Sequence, residues 1–221
     1  MKYDYLLKKC DLCRRHCGVN RLNGELGICT ANDNLIVARA ELHLWEEPPI
    51  SCENGSGTVF FSHCNLKCVF CQNHEISQEY KGAEITINRL SDIFLELQNK
   101  GANNINLVTP THYVPQIIEA IEIAKYKGLK LPILYNTNGY DTLETIKLLD
   151  GYIDVYLPDF KYFDDKYSIK YSKAKDYSSE IIPILKEMVR QTGKPSFDDK
   201  GRILKGVIIR HLMLPGLLFD S

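Results

Sequence analysis

From about residue 57 onward, short runs of β-branched and aromatic residues alternate with longer segments whose apolar residues recur at helical spacing. This alternation is typical of repeated βα units around a parallel sheet. In one such segment the apolar side chains of Val114, Ile117, Ile118, Ile121 and Ala124 fall on one helical face. We therefore expect an α/β fold, built as most of a (β/α) barrel.

The predicted barrel contains five strands with four intervening helices. We place the strands at residues 58–62, 104–109, 131–137, 152–158 and 205–214, and the helices at about 89–100, 114–127, 143–149 and 178–191. No helix is predicted after the last strand. The expectation is a partial (β/α)6-type barrel whose last units are missing, as in a chain truncated at its C-terminus. The tyrosine-rich and charged tract at residues 159–177 is predicted to be a solvated loop.

The first 56 residues have a different character. They are rich in cysteine and are interrupted by the turn-forming stretches "NGELG" and "EEPPISCENGSG". With 221 residues and 44% hydrophobic composition, the chain can bury one substantial core, and this segment is too small to form its own. We divide the chain into a Cys-rich, metal-binding N-terminal segment at 1–56 and a barrel core at 57–221.

The charge balance limits the classes of partner. The sequence contains 27 Lys and Arg against 28 Asp and Glu, so we expect no broad cationic surface for a phosphate backbone. No segment approaches the roughly 20 apolar residues needed to span a bilayer, and the N-terminus has no long apolar signal region. We expect a cytoplasmic protein that binds neither nucleic acid nor membrane.

Eight cysteines in a cytoplasmic chain require an explanation, because reducing compartments disfavour disulfides and spaced thiols there are more often metal ligands. Cys52 stands alone. The other seven form an N-terminal group and a central group, which are Cys10, Cys13, Cys17 and Cys29, and Cys64, Cys68 and Cys71.

The N-terminal group supplies four thiols in about twenty residues. Four thiolates satisfy a tetrahedral zinc ion, and the binding energy would fold a segment that lacks a core. The alternative hypothesis is a second iron-sulfur cluster, because a Cys-x2-Cys spacing is compatible with either metal. The sequence does not decide between zinc and a cluster.

The central group supplies three thiols directly after the first predicted strand. A closed zinc site needs four ligands, which would require completion by His63, His74 or Cys52. Three thiolates can instead bind three irons of a [4Fe-4S] cluster and leave the fourth iron open to a chelating ligand. Because the carboxyl ends of barrel strands carry the chemistry in such folds, we favour the cluster.

The motif Cys64-x3-Cys68-x2-Cys71, with Phe70 before its last cysteine, resembles the signature of radical S-adenosylmethionine enzymes. With Gln72-Asn73 after it, the motif is most similar to the activating enzyme of pyruvate formate-lyase and its uncharacterised relatives, and the resemblance covers about residues 46–217. It implies that the open iron chelates S-adenosylmethionine and that reductive cleavage yields a 5′-deoxyadenosyl radical for hydrogen abstraction. A ferredoxin or flavodoxin electron donor and a glycyl radical enzyme as protein substrate are implied as partners.

The same resemblance assigns cofactor-binding positions at later strand ends. "YNTNG" resembles the family's Asp-Thr-Asn-Gly, with an amide in place of the acidic residue, and "LPDFK" and "IIRHLMLPG" resemble two further family segments. The family's Gly-Gly-Glu segment is replaced by "NLVTPTHY", which implies a different way of holding the amino group or a different substrate. The expected cofactor-binding residues are Phe70, Asn73, Thr109, Thr111, Asn136, Asn138, Asp159, Lys161 and Arg210.

The alternative function is a zinc-binding structural or interaction module without catalysis, in which both cysteine groups are structural. Metal analysis would distinguish it, because zinc without iron or sulfide supports the module.

Overall fold

The protein is described by a computed structural model over residues 2–217. The strands are β1 (Leu35–His43), β2 (Ser56–Phe61), β3 (Ala83–Ile85), β4 (Ile105–Val108), β5 (Ile133–Thr137), β6 (Val155–Phe160), β7 (Ser196–Phe197), β8 (Ile203–Val207) and β9 (Arg210–His211). The helices are α1 (Tyr5–Lys8), α2 (Pro48–Ser51), α3 (His74–Ser77), α4 (Ile87–Asn99), α5 (Val114–Tyr126), α6 (Leu143–Leu148), α7 (Asp165–Ser172) and α8 (Tyr177–Thr192).

The strands form one mixed sheet in the order β3-β1-β2-β4-β5-β6-β8-β7, with β9 also pairing with β6. The pairs from β2 through β8 are parallel, as the predicted βα units require. The end strands β3 and β7 each pair with one neighbour among the described residues, so the sheet is open there. The prediction of an α/β, partial (β/α) fold is confirmed. The fifth predicted strand is present but is broken into β8 and β9, which both run parallel to β6.

Three antiparallel strands were not predicted, and β1 is the most important of them. It comes from the N-terminal segment and pairs with β2 from Val37 opposite Phe61 to His43 opposite Ser56. Polar and apolar residues alternate along 38–44, which is the period of a half-buried strand. The first 56 residues therefore contribute directly to the sheet.

The four predicted helices, α4, α5, α6 and α8, agree with the sequence prediction to within about two residues at each end, whereas the shorter α1, α2, α3 and α7 were not predicted. Two of them begin at threonine caps, because the hydroxyl oxygen of Thr86 accepts from the Arg89 backbone N–H and that of Thr142 accepts from the Thr145 backbone N–H. None of the helices in residues 2–217 is long and apolar enough to cross a membrane.

Apolar side chains cover both faces of the sheet. The larger core packs α4, α5 and α8 against the strands, and the five residues of β5 are all buried. A smaller core fills the opposite, concave face with Ile50, Leu134, Val155, Leu157 and Ile203. Burial on both faces explains why the parallel strands read as nearly continuous apolar runs.

The prediction of a solvated loop at 159–177 was wrong. The tract contains α7, and its tyrosines Tyr162 and Tyr177 are fully buried. Their hydroxyl groups are hydrogen-bonded, Tyr162 to the Ser172 hydroxyl at 2.6 Å and Tyr177 to the Asp159 carbonyl oxygen at 2.8 Å. A phenol can be buried when its polar end is bonded, so the charges around it did not keep the tract in solvent.

Candidate functional site

Parallel strands bring their carboxyl ends to one edge of the sheet, and the cysteine loop lies at that edge. The loop follows β2, while Thr109 follows β4, Asn138 follows β5 and Lys161 follows β6. Together they border a cavity of about 550 Å³, within the usual size range of small-molecule sites.

Cys64, Cys68 and Cys71 all line this cavity, and each thiol has its own side-chain hydrogen-bond partner. The Asn138 side-chain amide donates to Cys64 Sγ at 3.5 Å, and the Ser172 hydroxyl donates to Cys68 Sγ at 2.9 Å. The Ser77 hydroxyl lies 3.3 Å from Cys71 Sγ. Such donors stabilise thiolates and tune metal-sulfur centres.

Burial raises the pKa of Cys64 to about 12. Burial likewise raises the pKa of Cys68, although nearby Lys161 opposes this shift. Thiols with raised pKa hold their protons until a cation replaces them, so metal binding at this loop releases protons.

Two residues at the strand ends adopt left-handed backbone conformations. His63, just before the loop, has φ 72°, and Thr109 after β4 has φ 58°. The strain at His63 is held by a ring stack on Tyr80 at 4.6 Å and by its Nδ1 lying 3.2 Å from the Cys29 carbonyl oxygen. Residues with strained backbone conformations of this kind cluster at functional sites.

Opposite charges occupy another wall of the cavity. Asp159 pairs with Lys161 at 2.6 Å and with Arg210 at 2.9 Å, and Arg210 also donates to the Asn136 side-chain oxygen at 2.6 Å. Burial lowers the pKa of Lys161, but Asp159 and Cys68 together outweigh it and the pKa is raised, so the side chain is an ammonium. The amide at Asn136 thus serves as an acceptor for a guanidinium.

The structure brings nearly all the predicted cofactor-binding residues to this cavity. Those that line it are Phe70, Asn73, Thr109, Asn136, Asn138, Asp159, Lys161 and Arg210. Thr111 is the exception. Its hydroxyl donates at 2.8 Å to the carboxylate of buried Asp141, which also accepts from Tyr135 and the cavity-lining Thr137, so Thr111 belongs to a buried network behind the cavity wall.

Sequence reasoning missed the wall supplied by the first strand. Arg39 and His43 on β1, and Glu46 just beyond it, line the cavity across from the parallel strands. Burial raises the pKa of Glu46, and Arg210 opposes that shift. The alternating pattern of β1 was the available signal, and without the strand these side chains had no predicted place.

A second group of thiols lies beside the loop. Cys10, Cys13, Cys17 and Cys29 line one small cavity, and all are free thiols. Burial raises the pKa of Cys13 to about 12. No group of three or more His, Cys, Asp or Glu side chains in residues 2–217 stands in ligating positions around a single metal ion, at this cavity or at the cysteine loop.

The sequence profile of the Radical SAM superfamily matches residues 58–216, so the chain belongs to that superfamily. Over 221 residues the chain is 32% identical to an uncharacterized protein of Methanocaldococcus jannaschii. The match covers 96% of this chain and 59% of the archaeal protein, so the chain spans little more than half the length of that relative.

The cysteine loop fits the iron-sulfur cluster that the superfamily generally binds together with S-adenosylmethionine. Three thiols with individual hydrogen-bond partners open into one cavity, and this arrangement suits three thiolate ligands and one open iron.

Proposed function

We propose that the chain is a radical S-adenosylmethionine enzyme, with Cys64, Cys68 and Cys71 as ligands of a [4Fe-4S] cluster. The observation that carries this proposal is the set of three hydrogen-bonded thiols facing a 550 Å³ cavity that also contains a charged wall. When bound, the cluster and S-adenosylmethionine supply a 5′-deoxyadenosyl radical by reductive cleavage of the sulfonium.

The charged wall suits the amino-acid end of that cofactor. Asp159 offers a carboxylate to an ammonium group, and Lys161 and Arg210 offer cations to a carboxylate. Phe70, from the cysteine loop, supplies an aromatic side chain for the adenine end. These residues orient the ligand relative to the thiols.

We further propose a glycine of a protein partner as the hydrogen donor, and an external ferredoxin or flavodoxin as the electron donor. The resemblance of the cysteine loop to glycyl-radical-enzyme activases supports this assignment. Two exposed apolar side chains also support it: Trp45 is 88% exposed and next in sequence to the cavity-lining Glu46, and Met213 is 62% exposed and next in sequence to the cavity-lining Leu212. Large exposed aromatic and methionine side chains are enriched on surfaces that bind protein.

The cleavage proposal is tested by anaerobic reconstitution with iron, sulfide, dithionite and S-adenosylmethionine. We expect 5′-deoxyadenosine by liquid chromatography, its loss in Cys71→Ala, and its retention in the matched control Cys52→Ala, since Cys52 does not line the cavity. Absence of 5′-deoxyadenosine from a sample with a full complement of iron and sulfide would refute the proposal.

The activase proposal has a separate readout. The reconstituted chain is incubated with a purified glycyl radical enzyme and a flavodoxin reducing system, and electron paramagnetic resonance is recorded. A glycyl radical signal that requires S-adenosylmethionine supports the assignment. Production of 5′-deoxyadenosine without a glycyl radical on pyruvate formate-lyase or its relatives would point to another hydrogen donor.

A further inference from the structure

The four N-terminal cysteines surround a cavity of about 10 Å³, beside the radical SAM barrel. That volume accommodates about one water molecule or one ion, whereas the cysteine loop after β2 opens into a cavity of 550 Å³. Arg15, Arg21 and His112 also line the smaller cavity. The size of the space therefore suits a single ion better than a cluster.

The charged side chains that line this cavity are cations. Arg21 is only 1% exposed, and its guanidinium donates to the carbonyl oxygens of Asn32 and His112. Arg15 donates to the carbonyl oxygens of Asn65, Ser172 and Lys173. Within residues 2–217, neither guanidinium is paired with a carboxylate.

A buried cation is costly unless a negative charge balances it. Neutral thiols would leave the buried Arg21 guanidinium, and the partly exposed Arg15 guanidinium beside it, without a compensating negative charge. A divalent ion held by four thiolates carries two net negative charges, which Arg15 and Arg21 would match.

Two further contacts favour metal ligation. The Ile28 backbone N–H donates to Cys17 Sγ at 3.5 Å, a hydrogen bond that stabilises a thiolate. The ring of His112 is 2% exposed and has Nε2 2.7 Å from the Ser62 carbonyl oxygen, while its Nδ1 is buried without a hydrogen-bond partner. His112, a residue of the cavity wall, thus carries an unpaired ring nitrogen.

We infer that Cys10, Cys13, Cys17 and Cys29 bind one divalent ion of the zinc class as thiolates, with Arg15 and Arg21 as its counter-charges. The thiols line the cavity but do not converge on one point, so binding requires rotation of cysteine side chains about χ1. This second metal site is separate from the proposed radical chemistry.

The inferred site has a direct structural link to the cysteine loop. The Arg15 Nε–H donates to the Asn65 carbonyl oxygen at 2.8 Å, and the Asn65 side chain contacts the Cys13 thiol. His63 Nδ1 lies 3.2 Å from the Cys29 carbonyl oxygen. The residues on both sides of Cys64 therefore contact the metal-binding segment. A bound ion would stabilise the loop that holds the cluster.

The test uses a variant that keeps only the four N-terminal thiols, with Cys52, Cys64, Cys68 and Cys71 all replaced by Ser. Zinc, iron and acid-labile sulfide are measured after anaerobic purification. We expect about one zinc per chain and no sulfide. Chains without metal, or chains with iron and sulfide, would overturn the inference.

Ligand identity is read by cobalt substitution in the same variant. Intense thiolate-to-cobalt charge-transfer absorption is expected, and it must arise from the remaining four thiols. Adding Cys13→Ser and Cys29→Ser should abolish both the absorption and the zinc. If the wild-type chain, which needs no substitution to fold, also lacks zinc, the inference fails without reference to the variants.

The role of the guanidinium groups has its own control. Arg15→Gln should weaken zinc affinity about tenfold or more, as loss of a supporting group around a metal site does. Arg89→Gln, which removes an exposed guanidinium on α4 paired with Glu96, should leave the affinity unchanged. Equal affinities for the two variants would overturn the counter-charge assignment.

Discussion

Asp159 lies between two cations in the cavity wall, at 2.6 Å from Lys161 and 2.9 Å from Arg210, and Arg210 has longer contacts with Glu47 at 3.7 Å and Glu46 at 4.0 Å. Asp159→Asn removes the carboxylate that pairs with Lys161 and leaves Arg210 with only the longer contacts, in a partly dehydrated site. Because the Asp159 side chain is 18% exposed, we expect a loss of about 1–3 kcal/mol in the free energy of unfolding, less than for a fully buried pair. Urea unfolding of samples with matched metal content measures it.

The matched control is Asp92→Asn. Asp92 pairs with Lys127 at 2.8 Å, but both side chains lie on the surface. Exposed pairs contribute little, so the control should cost less than about 1 kcal/mol. A similar cost at both positions would show that partial burial does not strengthen the Asp159 network.

Tyr177 joins the first turn of α8 to the ends of β5 and β6. Its hydroxyl oxygen accepts from the Lys161 backbone N–H at 3.0 Å and lies 2.9 Å from the Asn138 carbonyl oxygen. Tyr177→Phe leaves the Lys161 N–H without this partner, and we expect a loss of about 1–3 kcal/mol in the free energy of unfolding. Tyr126→Phe, at a side chain 94% exposed, should leave the unfolding midpoint unchanged. An unchanged free energy of unfolding in Tyr177→Phe would contradict the proposed link between α8 and the strand ends.

The sequence indicated single residues well where a motif carried the chemistry. The thiols of the cysteine loop and the polar residues at successive strand ends lie in one cavity, because parallel strands end at the same edge. Thr111 could not be assigned correctly, since its partner Asp141 lies thirty residues away. The roles of Asn65 and Tyr177 were missed for the same reason: their partners are distant backbone groups.

At the scale of elements, Gly57 allows β2 to pack closely against α4 and the segment before β4. A Cβ at this position would lie 2.6 Å from the Asn104 carbonyl oxygen and 2.9 Å from the Ala102 Cβ. Neither atom can move by a rotamer change, so Gly57→Ala should cost about 1–3 kcal/mol in the free energy of unfolding.

The control is Gly101→Ala, where a Cβ would meet nothing within 4 Å but φ is +86°. Backbone strain alone should cost about 1 kcal/mol there. Urea unfolding of both variants separates crowding from strain. A smaller loss at Gly57 than at Gly101 would contradict the close packing of β2.

The parallel strands and main helices were predictable because each is a continuous apolar run or a helical period with its own cap. The short strands β3 and β7 were not, since two or three residues carry no periodic signal and form only by pairing with a neighbour. The tract at 159–177 was misread because local charge outweighed the tyrosines, whose hydroxyl groups find partners only in the folded chain.

At the scale of the whole molecule, backbone hydrogen bonds connect the N-terminal segment to the loop after β5. The backbone of Cys13 forms an isolated antiparallel bridge with Asp141, and the Arg14 N–H donates to the Tyr140 carbonyl oxygen at 3.2 Å. Composition predicts a Cys-rich segment over residues 1–56. In the structure this segment supplies β1 to the sheet and contacts the cysteine loop.

The cavity takes its walls from β1, β2, β4, β5, β6, β9 and the loops beside them, although the sheet itself is open among the described strands. A ligand that contacts both the thiol loop and the charged wall therefore connects the two halves of the sheet. Ligand at about 100 times its dissociation constant stabilises the folded state by about 2.7 kcal/mol, which corresponds to a rise of about 5–10 °C in Tm for a chain of this size.

We expect this rise when S-adenosylmethionine is added to the reconstituted protein, measured by anaerobic differential scanning fluorimetry. Methylthioadenosine lacks the amino and carboxylate groups, so it cannot engage Asp159, Lys161 and Arg210, and its shift should be clearly smaller at equal concentration. Cys71→Ala should reduce the S-adenosylmethionine shift, because a cluster ligand is lost. Equal shifts for the two nucleosides would mean that the charged wall does not bind the amino-acid end, and the role of these three residues would have to be reassigned to the substrate.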